Sequence, residues 1–186
     1  MIRPRFLLGT LTLALLGTAS CEDPVHDAEI TALGPEAPGV SPGPTHRPGQ
    51  PCLTCHGGQG PASATFVTAG TIYTTAYSPG TPSYPPLIGG NVTLVDSTGS
   101  VYNATTNSVG NFFVTPGEWN PVFPLGDLHP DADPDAGVED ISVGTSPVAP
   151  QTPMSTAIHR GGVYASCAYC HFDPPGPTSP GHVFQH

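Results

Sequence analysis

The sequence predicts a mainly β protein: a small antiparallel β-sandwich flanked by two loop-rich or short-helical segments. Three observations carry that expectation. The 186 residues include 25 Pro and 23 Gly but no Lys, and so many chain-breaking residues exclude a helical bundle. The middle of the chain alternates short Val-, Ile-, Thr- and aromatic-rich runs with Gly, Asn and Ser turns, the pattern of short strands. Each flank holds a Cys-x-x-Cys-His pentad in a Gly-rich setting, Cys52 to His56 and Cys167 to His171.

Taken in order, residues 1–20 read as an export signal. Arg3 and Arg5 form a positive start, Phe6 to Leu16 is apolar apart from Gly9, Thr10 and Thr12, and Gly17-Thr18-Ala19-Ser20 leads to Cys21. The run is shorter than the roughly 20 apolar residues of a membrane span, so cleavage is expected. Small residues followed at once by cysteine resemble the lipobox of bacterial lipoproteins. That resemblance implies a lipidated Cys21, although Thr18 stands where the family usually has Leu; the alternative is an ordinary signal with a stray cysteine. Parity points the same way, since five cysteines divide into two pairs and Cys21.

Residues 22–51 hold Pro, Gly, Ala and acids without a sustained period. They read as a spacer, with the flexible tether assigned to 21–45. Beyond the signal only Arg47 and Arg160 oppose all fourteen acidic residues. Nucleic acid and anionic lipid surfaces require a basic patch and are excluded as partners; a basic protein is not.

The sandwich is assigned to residues 65–147. Phe66 to Tyr77 reads as one strand with a bulge at Gly70, and Leu87 to Asp96 as a second. Ser97-Thr98-Gly99 turns into a third at Ser100 to Thr105, Gly110 to Thr115 is a fourth, and Gly137 to Gly144 supplies a fifth. Gly70-Thr-Ile-Tyr, Pro86-Leu-Ile-Gly-Gly-Asn-Val-Thr-Leu-Val-Asp, Gly99 and Thr106-Asn-Ser-Val-Gly-Asn-Phe together resemble the carboxypeptidase regulatory-like domain over residues 66–145. The resemblance implies a transthyretin-type sandwich and a noncatalytic scaffold. The acidic loop from Asp127 to Asp140 departs from it; Asp131, Asp133 and Asp135 could meet a calcium ion, but the loop lacks EF-hand spacing and reads as solvated.

The pentads carry the chemistry. Both match the attachment motif of c-type haem, in which two thiols bond the porphyrin and the adjacent His reaches the iron. The predicted cofactors are therefore two c-type haems, attached at Cys52, Cys55, Cys167 and Cys170, with His56 and His171 as proximal ligands. Zinc ribbons space their knuckles roughly 15 to 20 residues apart, whereas Cys55 and Cys167 are far more distant. Local disulfides or a redox dithiol remain alternatives, but neither requires His after both second cysteines. Through these motifs alone the chain resembles multihaem c-type cytochromes.

The sixth ligand separates electron carriers from enzymes. His46-Arg47 precedes the first pentad and His159-Arg160 the second, and His182 follows a Pro- and Gly-rich linker after His171. These three histidines are the distal candidates, His182 competing with His159 or serving the first haem. Met154 is an alternative ligand and otherwise packing. His26 and His129 read as exposed loop residues, and His186 as a mobile terminus. Arg47 and Arg160 either pair with haem propionates or are solvated.

The haem segments are 46–64 and 148–186, each too short to bury a porphyrin alone, so the sandwich is expected to bring them together into pooled packing. The resulting expectation is an exported, lipid-anchored electron carrier at the periplasm or outer surface of a bacterial cell envelope, not an enzyme. It would exchange electrons with basic redox proteins and has scope for self-association. A dihaem peroxidase-like enzyme and a noncatalytic surface-binding module are the alternatives.

Overall fold

The computed structural model describes residues 23–126, 142–144, 152–154 and 157–185. Among them the elements in chain order are α1 (Pro24–Ala32), α2 (Leu53–His56), β1 (Thr68–Thr71), β2 (Asn91–Val95), β3 (Val101–Thr105), β4 (Asn111–Val114), β5 (Ser142–Gly144), β6 (Thr152–Pro153), a 3-10 turn (Gly162–Ala165) and α3 (Cys167–Cys170). The protein is mainly β. Every pairing between named strands is antiparallel: β1 with β4 in one sheet, and β3-β2-β5-β6 in the other.

Alternation along β2 explains how the sheets meet. Val92 and Leu94 point to one face, while Asn91 and Thr93 on the other face bond Asn103 of β3 through their side chains. One buried cluster joins Val92, Leu94, Ala104 and Val143 of the larger sheet to Ile72, Phe112 and Val114 beside or within the smaller one. Burying such apolar side chains drives the sheets together, at roughly 1.5–3 kcal/mol for each large one.

The turns follow from their side chains. Asp96 accepts from the backbone N–H and hydroxyl of Thr98 and from Ser100 N, and closes the β2–β3 hairpin with Gly99 at φ 81°. Asn107 accepts from Val109 N and Asn111 N ahead of β4. Gly110 has φ 80°, and a Cβ there would lie 2.3 Å from the Ile72 carbonyl oxygen, so any larger residue is excluded.

Three expectations need correction. Gly70 is no bulge: it pairs in register with Phe112. Its missing Cβ instead admits Cys167, whose Sγ would be 2.6 Å from a methyl there. The tether expected over 21–45 contains α1, capped by Asp23, which accepts from Val25 N and His26 N, with Pro24 in the first turn. Consequently His26 lies on a helix, half-buried, not in an exposed loop.

That segment is also tied down at its far end. Asn111 donates to the carbonyls of Pro44 and His46, and Asn107 to Pro44. Arg47, at φ 48°, donates to the Leu33 and Gly34 carbonyls and to Gln50. The expected fifth strand is present at Ser142–Gly144, the rest of its range lying outside the described residues, and β6 was not foreseen. The signal peptide, Cys21, His129, the acidic loop and His186 lie outside the described residues. Among the described residues no helix is long and apolar enough to cross a membrane.

Candidate cofactor sites

Each pentad folds as a single helical turn. His56 N donates to the Cys52 carbonyl at 2.9 Å, and His171 N to the Cys167 carbonyl at 2.8 Å. Cysteines three apart then lie on one side of the turn. The intervening Leu53 and Thr54, and Ala168 of the second pentad, are buried against the protein, while Cys55 is half-buried and Cys170 exposed.

The two pentad histidines are fixed in the same way. His56 Nδ1 lies 2.8 Å from the Ala64 carbonyl oxygen, and His171 Nδ1 lies 3.1 Å from that of Gly181. A carbonyl can only accept, so Nδ1 carries the proton and Nε2 presents its lone pair. Metal-binding histidines are typically oriented by such a bond. The His56 ring also stacks on Phe66 at 4.3 Å, and Phe66 on Phe113 at 4.8 Å. Burial pushes the His171 pKa below its usual value, against the opposing pull of the Gly181 carbonyl, and so favours the neutral, ligating form.

The pentads open into different cavities. The first, about 810 Å³, is lined by Cys52, Cys55, His56, His46, Phe66 and Phe113. The second, about 390 Å³, is lined by Cys167, Cys170, His171, His159, Met154 and His182. They share no lining residue. The segments do meet, as expected: α2 packs on the 3-10 turn, and Leu53, Ala69 and Ala165 form one buried cluster beside Cys52. Ala69 bridges to Ser166, and the Thr68 hydroxyl donates to the Ala165 carbonyl. The pooled pocket expected from sequence is therefore corrected to two pockets on a shared wall.

Among the described residues no disulfide joins Cys52, Cys55, Cys167 or Cys170. Burial pushes Cys52 up to about 11, with a smaller contribution from Cys55. Cys167 is pushed up to about 12 by burial and then by the neighbouring Cys52. Among the described residues no group of three or more His, Cys, Asp or Glu side chains could hold a metal ion.

The distal candidates differ sharply. His46 and His56 stand 5.8 Å apart between ring centres, at 71°. The two rings meet edge to face at the lining of the first cavity. His159 is exposed at the second cavity. Both ring nitrogens of His182 are engaged, Nδ1 with Asp173 at 2.6 Å and Nε2 with the Thr75 carbonyl at 2.8 Å. Packed 4.5 Å from Tyr73 and 4.4 Å from Tyr84, it secures the C-terminal segment to the sheet.

Comparisons with family models, curated proteins and solved structures found no match. The reading of these sites therefore rests on their geometry. Several contributors escaped the sequence reading. Glu36 touches both His46 Nδ1, at 3.4 Å, and Arg47 Nε, at 3.2 Å; nothing local distinguishes it from other acids of the segment. Arg47 is thereby held by protein partners and is not the simply solvated arginine that was one of its two expected states. Arg160 lies 4.6 Å over the Tyr164 ring. Asp173, two residues past the second pentad, bonds His182 across the Pro-rich linker and was not singled out in the sequence.

Proposed function

We propose that this chain is a dihaem c-type cytochrome, an electron carrier of the bacterial cell envelope and not an enzyme. One observation carries the reading: each Cys-x-x-Cys-His forms its own helical turn at its own cavity, with the histidine Nδ1 bonded to a backbone carbonyl. Two c-type haems would supply reversible one-electron chemistry there. Cys52 and Cys55 hold the first and Cys167 and Cys170 the second; His56 and His171 bind from the proximal side. His46 is the distal ligand of the first site and His159 that of the second, since His182 is held by Asp173 and Thr75.

The residues around these groups orient and shield. Phe66 and Phe113 cover the first site, while Met154 and Ile158 contribute apolar wall to the second. The two sheets act as a noncatalytic sandwich of the carboxypeptidase regulatory-like kind that brings the segments together. Export and a lipid anchor at Cys21 place the protein in the periplasm or at the outer surface. The acidic chain suits basic redox partners, and self-association would extend the path of electrons.

An anaerobic redox titration followed optically tests the reading. Two reversible low-spin haems support it. A high-spin component that turns over with peroxide favours the peroxidase-like alternative, and absence of any Soret band defeats both.

A further inference from the structure

The segment that sequence marks as a tether contributes to the wall of the first cavity, and one of its carboxylates faces His46. Glu36 Oε2 lies 3.4 Å from His46 Nδ1 and 3.2 Å from Arg47 Nε. Arg47 in turn grips the Leu33 and Gly34 carbonyls and Gln50 Oε1. The His46 backbone is held separately, its carbonyl accepting from Asn111 of β4. Contacts on both the backbone and the ring thus limit the freedom of His46. The ring contact engages Nδ1 and leaves Nε2 for a ligand.

From this geometry we infer that Glu36 is a positioning residue for the distal ligand of the first site. It selects the His46 tautomer with hydrogen on Nδ1 and aims Nε2 into the cavity shared with His56. The inference rests on the haem reading and deepens it. A carboxylate facing the far nitrogen makes an imidazole more basic and fixes its orientation. A more basic ligand favours the ferric over the ferrous state, so Glu36 lowers the potential of the first haem alone. Arg47 keeps Glu36 in place and moderates its charge. Nothing equivalent faces His159, which among the described residues has no hydrogen-bonding or ionic partner.

The test uses the whole protein with haem attached, comparing the wild type with Glu36→Gln and Glu36→Asp. Redox titration and low-temperature electron paramagnetic resonance of the ferric state supply the readouts. Glu36→Gln is expected to raise one of two midpoint potentials and move one of two low-spin signals, leaving the other unchanged. Glu36→Asp, which keeps the carboxylate, is expected to restore both toward wild type. A purely structural role predicts lower thermal stability with unchanged potentials and signals. That result overturns the inference, as does an equal shift of both haems. Loss of a low-spin signal in His46→Ala but not in Glu36→Gln leaves the dihaem reading standing while refuting any Glu36 effect on ligation, provided the potentials are also unchanged. A wild type without covalent haem removes the reading and the inference together.

Discussion

The two cavities use the same pentad but hold their far walls differently. At the first, His46 is half-buried, fastened to β4 through its backbone and faced by Glu36 at its ring. At the second, His159 is exposed, and the best-secured histidine, His182, uses both nitrogens to hold the chain. A repeated motif therefore does not imply a repeated site. The local turn orients the pentad histidine, while long-range packing decides how firmly the facing histidine is held.

The largest effect expected is loss of one cofactor. Cys167→Ala combined with Cys170→Ala should leave a single haem, attached at Cys52 and Cys55, with the first site's spectrum intact; haem-to-protein ratio and spectra check this. Two remaining haems would break the division into separate cavities.

Distal substitutions probe the asymmetry itself. His46→Ala should convert one haem from low to high spin, and His159→Ala the other. In the wild type, carbon monoxide should bind the reduced second haem more readily than the first, because an exposed, unfastened His159 is easier to displace. Equal binding at both haems, followed optically, would dissolve the contrast.

His182→Ala should leave both spin states unchanged and act on stability. It removes a buried bond to a carboxylate and a second bond to a carbonyl, costing roughly 2 kcal/mol of folding free energy. Chemical denaturation measures the loss. A new high-spin signal without destabilisation would instead return His182 to the ligand role.

The smallest effect belongs to the shared scaffold and should not discriminate between cavities. Burial alone would raise the Asp96 pKa, but hydrogen bonds from Thr98, Val122 and Ser100 outweigh it and hold the group below its usual 3.8. Its stabilisation is present above the ordinary carboxylate range and is lost as pH falls through the depressed folded value. Asp96→Asn should flatten that part of the acid unfolding profile while leaving both haem spectra as they are near neutrality.

Much of the fold was legible because it depends on neighbours in sequence. Val92 and Leu94 alternate with Asn91 and Thr93, and Asp96 and Gly99 announce the hairpin turn. The CxxCH turns were equally local. Gly70 was misread because its requirement is a close approach by Cys167, almost a hundred residues on, and not a backbone distortion. The helix at Pro24 had local signals in Asp23 and Pro24, but the surrounding Pro and Gly content obscured them. Glu36 was invisible for a different reason: its role exists only once Arg47 and His46 fold back beside it.

Covalent haem content tests the central claim most directly. The intact mass of denatured protein, produced with the machinery that attaches c-type haem, should exceed that of the processed polypeptide by two haem groups. Cleavage between the pentads should then leave one on each fragment. A polypeptide mass without haem, from preparations in which a known c-type cytochrome is loaded, would contradict the account.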